Sequence, residues 1–368
     1  MLVIQYDLTQ GVLINHLSNT EQLMSKLLSK SFSGAARIKA VSDLGFPHDV
    51  IRIAGGFATG AFVDWTTNIP FIPVDTCVNV CSASFFEIKD DIKHLFNDDY
   101  FDSVKRRLNN GIYISNFHRG NHFIAYLNSL FDGKKYLLLH SSANEYKENF
   151  NGLYPVEGNW YFDKIKIFSD GESYIRYLDG KDAEIFYSIA KGLYEFNEIR
   201  HEFIAHVILG DYQENVPPMH FHHYGMPTNT SIAMGCHLST QEEISPILTL
   251  PGQNLYMVKY YRAKDESLMI SDKQFLTPHG WGKRHINTPQ MALNLRDNLF
   301  VLDDESYEIR FGTSLRSHSN LELRDFGKTA QTRKENFFNY LSKLYEYEIV
   351  DEYEQIASWN KAGIKIWQ

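Results

Sequence analysis

Residues 122–140, HFIAYLNSLFDGKKYLLLH, decide how the chain folds. Two apolar runs flank Asp132-Gly133, a pair suited to a tight type I′ turn because both central residues of that turn need positive φ. The stretch therefore predicts a β-hairpin from His122 to Leu139. His122 opens its first strand and His140 follows the second, so the turn brings two imidazoles to the open end. Whether they share a face depends on the turn.

Outward from the hairpin the signals are mixed. A helix is expected from near Ser18, because Ser18 and Glu21 have capping-box spacing and Leu23, Leu27 and Leu28 follow. Gly45 to Gly60 reads as short strands and turns. Asp182 to Leu209 predicts a long helix, with Ile185, Ile189, Leu193, Phe196, Phe203 and Val207 as its apolar positions and Gly210 as its stop. Leu255 to Tyr261 reads as a strand, and Lys334 to Tyr347 as a late helix. Strands and helices without regular alternation point to the α+β class rather than a doubly wound sheet. No repeat, low-complexity tract or linker divides the chain, so one large mixed domain over residues 1–368 is expected.

The 368 residues exceed the ~100–200 of an ordinary domain. Apolar residues make up 43%, enough for a substantial core, and 25 Phe and 22 Tyr could fill that core or stack on bases. The net charge of −9 argues against broad, non-specific nucleic-acid binding, which leaves a basic footprint. It leaves room for a site that binds one RNA end with help from divalent metals. Three cysteines, Cys77, Cys81 and Cys236, suggest no disulfide framework and fit a reducing compartment. The N-terminal MLVIQYD has no basic leader, and no apolar run is long enough for a membrane span. A cytoplasmic protein without a membrane partner, monomeric by default, is the expectation.

Histidine carries the chemistry. Of 15 histidines, several end apolar runs rather than sit inside them. Besides His122 and His140, there are His220-Phe221-His222-His223 after Pro217-Pro218, and Pro278-His279-Gly280-Trp281-Gly282-Lys283. With Asp75-Thr76-Cys77 they offer a carboxylate, a thiolate and imidazoles, a ligand set for one or two divalent metals. His201-Glu202-Phe203-Ile204-Ala205-His206 is one residue too long for a zincin helix, whose histidines need i,i+4 spacing. It reads as ordinary helix surface.

The order of these pieces resembles the RtcB family of manganese- and GTP-dependent RNA ligases, which act in tRNA splicing and RNA repair. Ser42-Asp43, Gly45-Phe46-Pro47 and Gly55-Gly56 resemble its glycine-rich early segment. Val74-Asp75 with Cys77 resembles its Asp-x-x-Cys motif. Gly120-Asn121-His122-Phe123 matches its Gly-Asn-His-Phe motif. His140-Ser141, His222-His223-Tyr224, Pro251-Gly252 and His279-Gly280-x-Gly282-Lys283 resemble the motifs that follow, in order.

The resemblance implies an RtcB-like fold around a central metal-binding cleft. Asp75, Cys77, His122, His140 and His222 would hold two Mn2+ ions, the thiolate bridging them, with His223 as the alternative to His222. Asn121, Gly252, Gly280, Gly282, Lys283 and Lys365 would contact GTP. His279 would attack the α-phosphorus to form a His–GMP phosphoramidate. The guanylyl group would pass to an RNA 3′-phosphate, and a 5′-hydroxyl would displace GMP, joining RNA ends such as those of a broken tRNA. A neutral imidazole is a competent nucleophile at pH 7.

The chain also departs from the family. The spacing is Asp75-x-Cys77, one residue short, which predicts a bulge that re-aims the thiolate; Cys81 is the other candidate. Ala125 stands where the family has a guanylate-contacting Glu. Gln253-Asn254-Leu255 replaces Ser-Met-Gly, and Lys365 precedes Ile366-Trp367 rather than Gly. Two other functions follow from these losses: a metallo-phosphoesterase on RNA ends that needs no GTP, and a non-catalytic RNA-end binding protein.

Overall fold

A computed structural model of the protein describes residues 4–110, 117, 122–143, 153–210 and 216–367. The hairpin forms from the strands Phe123–Ser129 and Lys135–Ser142. Its turn is wider than expected. Asn128 pairs with Lys135 and the Ser129 N–H donates to the Lys134 carbonyl at 2.8 Å, so four residues make the loop. Gly133 takes a positive φ of 72° and Asp132 does not, so the turn is not type I′.

The hairpin lies inside an eight-stranded sheet. In spatial order the strands are Ile244–Ile247, Leu255–Ala263, Tyr345–Asn360, Phe123–Ser129, Lys135–Ser142, Cys81–Ile88 and Met219–His222, each antiparallel to its neighbour, and Gly363–Ile366 folds back on Tyr345–Asn360. Side chains alternate between two faces. On one, Phe86, Ile124, Tyr126, Leu137 and Leu139 pack with Phe101 and Val104 of the helix Asp98–Leu108 and with Ile204, Ala205 and Ile208 of the helix Gly180–Leu209. On the other, Ala83, Phe85, Phe123, Ala125, Leu127 and Leu138 pack with Leu248, Leu255, Met257 and Tyr353. Each large apolar side chain buried this way contributes about 1.5–3 kcal/mol.

A second sheet, Ala36–Gly45, Thr59–Trp65, Ser231–Met234 and Tyr224–Thr228, packs with the helix Leu8–Ser31 in the largest core cluster. The class is mixed α+β, mostly strand, with five α-helices among the described residues. None of those helices is long and apolar enough to cross a membrane.

Several boundaries differ from expectation. The first helix begins ten residues early, because Asp7 rather than Ser18 caps it by accepting the Gln10 N–H at 3.0 Å. The glycine-rich stretch contains a short helix, Val50–Ala54. The late helix is Ala330–Leu344, capped by Thr329, and Tyr345 turns directly into a sixteen-residue strand where helix was expected to continue. The long helix occurs as Gly180–Leu209, but with a different inner face: Ile185 and Phe203 are exposed, whereas Asn197, Arg200 and His201 are buried.

Candidate active site

The sheet register explains which histidines meet. Asn360, Phe123, His140, Ala83 and Phe221 form one row of pairs near the end of the sheet. Cys81 shares a face with Ala83 and Phe85, the face away from the Gly180–Leu209 helix. Its Sγ lies 3.4 Å from His140 Nε2. On the neighbouring strand, His220 and His222 alternate with Phe221 and point back toward that helix, where they meet Glu202 at 3.3 Å and Glu198 at 2.8 Å. His223, one residue on, falls on the opposite side, with Nε2 3.2 Å from His140 Nε2. Its own N–H donates to the Cys81 carbonyl at 3.2 Å, which ties the two segments together.

The resulting donors are Cys81, His140 and His223, all buried, with ligand atoms within 4.8 Å of one another. Two ligands held tetrahedrally at ~2.0–2.3 Å from one ion lie roughly 3.3–3.8 Å apart. The 3.4 Å and 3.2 Å separations are of that order. Burial, then the neighbouring His279 and His140, hold His223 well below the usual imidazole range, so it is neutral, as a ligand must be. Its Nδ1 is buried without a hydrogen-bond partner. The residues present therefore fit a divalent ion that accepts sulfur and nitrogen.

His122 stands beside them. Its ring is 6.0 Å from that of His140, and its Nε2 is 3.4 Å from Ser142 Oγ. Asp75, Cys77 and His222 are not brought there, and the candidate ligand set is corrected accordingly. Asp75 is clamped by Arg176, whose Nε lies 3.0 Å from both carboxylate oxygens. The expected bulge is instead a 3-10 turn, Val74–Thr76, that leaves Cys77 at φ 45°. Cys77 is fully buried, and that burial pushes its thiol well above the ordinary range. Cys81 is the thiol that enters the site.

The same cleft, about 470 Å³, contains His279, Gly280, Gly282 and Lys283. That is within the ~300–1,000 Å³ of small-ligand sites. His279 is oriented by Asp43, a residue with 0% exposure. The carboxylate accepts from His279 Nδ1, from the His279 N–H at 3.3 Å and from the Gly280 N–H at 3.2 Å. An Nδ1–H held on a carboxylate leaves the Nε2 lone pair available. Gly282, at φ 71°, packs against the backbone of the same residue, since a Cβ there would sit 2.0 Å from the Asp43 carbonyl oxygen. Arg324 fastens the turn from behind, donating to the Trp281 and Leu44 carbonyls at 2.7 and 2.8 Å.

The chain matches no protein-family model, and comparison with curated proteins found no relative. The chemistry therefore rests on the residues. Lys283, Arg316, Lys361 and Arg52 line the cleft against one carboxylate, Asp49, a cationic balance suited to an anion. Burial, then Arg316 and Lys361, push the Lys283 amine down to about 8. Tyr154, Trp281 and Phe311 add aromatic surface. Gly252 and Lys365 are not among the lining residues: a Cβ on Gly252 would meet Trp367, and Lys365 lies over that same ring. Asn121 and Gly120 lie outside the described residues.

Behind the site, on the opposite face of the sheet, is a buried polar layer. Ser84 Oγ is 2.7 Å from both His201 Nδ1 and His220 Nδ1, and Ser141 Oγ is 2.7 Å from His201 Nε2. Arg200 donates to Ser141 Oγ at 2.7 Å, and Asn197 donates to Ser82 Oγ at 2.8 Å. Burial, then Arg200, hold His201 neutral. The His201–His206 segment is thus no ordinary surface: His201 is a core residue that supports the strands carrying Cys81 and His140, while His206 is exposed. Serines on alternate strand positions, facing a helix with His and Asn on one side, were the signal for it.

Proposed function

We propose that the protein is a GTP- and manganese-dependent RNA ligase with an RtcB-like fold, joining 3′-phosphate or 2′,3′-cyclic phosphate ends to 5′-hydroxyl ends through His279. The observation that carries this reading is the Asp43–His279 pair placed beside Cys81, His140 and His223. Asp43 keeps the proton on Nδ1 and neutralises the imidazolium character that builds as Nε2 attacks the α-phosphorus of GTP. The Nε2–P bond forms as pyrophosphate leaves. Lys283, Arg316 and Lys361 draw the phosphates in. Cys81, His140 and His223, with His122 nearby, would hold a divalent ion, which would supply charge neutralisation at the phosphate oxygens. The guanylyl group then passes to the RNA 3′-phosphate, and the 5′-hydroxyl displaces GMP.

A metallo-phosphoesterase is the second reading, favoured by the engagement of Asp75 with Arg176, which leaves a three-donor cluster in the cleft. One incubation separates the two. The purified chain is given Mn2+ and α-labelled GTP, then denatured. Label retained on the protein supports the ligase. Absence of label, together with opening of a 2′,3′-cyclic phosphate end without nucleotide, replaces it with the phosphoesterase.

A further inference from the structure

Away from the donor cluster of the cleft, three residues distant in sequence converge. His285 ends the strand Lys283–His285. Asp303 sits in the two-residue turn between the strands Leu299–Leu302 and Glu305–Glu308, with φ 53°. His318 follows the 3-10 turn Leu315–Ser317. We propose that His285, Asp303 and His318, with Glu305 at the rim, form a second divalent-metal site, of zinc type, which braces the wall of the cleft that carries Lys283 and Arg316.

The key atom is His318 Nε2. The residue is 3% exposed, yet this nitrogen has no hydrogen-bond partner. It points at Asp303 Oδ2, 3.7 Å away, and Glu305 Oε1, 3.9 Å away. Those distances are too long for hydrogen bonds and close to the spacing of two ligands on one ion. His285 Nε2 lies 2.7 Å from the same Asp303 Oδ2, a hydrogen bond that opens to the ligand spacing when an ion enters between them. Its Nδ1 is 2.9 Å from the Asn287 carbonyl, the outer contact that commonly orients a ligating imidazole. Asp303 is positioned in turn: its Oδ1 accepts the Gln290 N–H and its Oδ2 accepts from Asn320 Nδ2, both at 3.1 Å. Two imidazoles and one carboxylate, with ligand atoms within 4.8 Å of one another and no thiolate, suit zinc, and Glu305 would have to move in from the rim to be a fourth ligand.

The protons balance. His285 binds through Nε2 with its single proton on Nδ1, held on the Asn287 carbonyl, and gives up the 3.1 Å contact from the Asn287 N–H. His318 binds through Nε2 and carries its proton on Nδ1, exchanging the 3.2 Å contact from the Asn320 N–H for water. The consequence for the cleft is direct. His285 is two residues from Lys283 and His318 is two residues from Arg316, and both of those cations line the cleft.

The site is tested by dialysing the full chain against Zn2+ and measuring bound zinc. Asp303→Asn is the decisive variant. Asn tolerates the left-handed backbone and keeps the acceptor, so the fold is retained while the anionic ligand is lost. Asp303→Asn and His318→Ala should each lose one equivalent of zinc, with affinity falling by more than the roughly 10–100-fold that removal of an outer partner costs. The double variant Cys81→Ser/His140→Ala, stripped of the cleft donors, should keep that equivalent. Substituted Co2+ in this double variant should show no thiolate charge-transfer band. Wild-type zinc content in Asp303→Asn, or no zinc bound by the double variant, overturns the proposal.

Discussion

The imidazole of His279 is stacked on that of His223, with ring centroids 4.9 Å apart and planes inclined by 22°. One ring is paired with Asp43, the other belongs to the donor cluster with Cys81 and His140. In the proposed reaction the stack would couple the attacking nitrogen to the group that faces the phosphate. It also sets the first expectation. His279→Ala should abolish covalent labelling by α-labelled GTP. Asp43→Asn should leave the fold intact but slow single-turnover labelling by about 10²–10⁴-fold, because an amide does not hold the Nδ1–H tautomer or stabilise the developing cation. Full labelling of His279→Ala would remove His279 from the reaction.

Thiol reactivity separates the two cysteines. Cys81 lies against His140 in the cleft, whereas Cys77 is enclosed behind Arg52, which donates to its carbonyl at 2.9 Å. Alkylation of the metal-stripped protein should therefore modify Cys81 first, and added Mn2+ should slow that modification at least tenfold. Cys77 should react only on unfolding, with or without metal. Peptide mapping after iodoacetamide treatment reads both. Metal-dependent protection of Cys77 with none at Cys81 would restore the Asp75-x-Cys77 motif as the ligand pair.

What the sequence made legible was the local period. Alternation around residues 122–140 was enough for the hairpin and for the meeting of His122 and His140. The composition of His279–Gly282 was enough to read a turn there, and it joins the strands Gln274–Pro278 and Lys283–His285. Three things were hidden because long-range packing sets them. His222 and His223 differ only in which side of the sheet the Gly180–Leu209 helix covers. Cys77 and Cys81 differ by a 3-10 turn that has no strand period. The inner face of the long helix is partly polar, so its apolar residues misled: Phe203 faces out and His201 faces in. The strand Tyr345–Asn360 was missed because tyrosines and glutamates continue the pattern of the preceding helix without a break.

Asp75 is paired with Arg176 and lies apart from the donor cluster of the cleft. Its carboxylate is 1% exposed and paired with Arg176, and Gly55 leaves the space that its Cβ needs. Removing one partner of such a pair strands a buried charge, so Arg176→Ala should cost about 3–5 kcal/mol in urea denaturation. Asp75→Asn should destabilise in the same direction. Neither change should alter the amount of divalent metal bound by the folded protein. Loss of bound metal in folded Asp75→Asn would return Asp75 to the ligand set.

Lys283 makes the cleft sensitive to pH near neutrality. Burial and the adjacent Arg316 and Lys361 lower its pKa to about 8, so the amine is cationic below that pH and neutral above it. A bound triphosphate interacts with the cationic form, so affinity should be highest below about 8 and should fall as pH rises through it. By linkage, the bound anion should raise the amine's pKa. Arg keeps its charge throughout this range, so Lys283→Arg should flatten the pH dependence between about 7 and 9. Lys283→Met should bind weakly at every pH and show no titration in that window. Equilibrium binding of a fluorescent guanine nucleotide, measured from pH 6.5 to 9.5, decides the matter. A slope in Lys283→Arg as steep as in the wild type would assign the titration to another group.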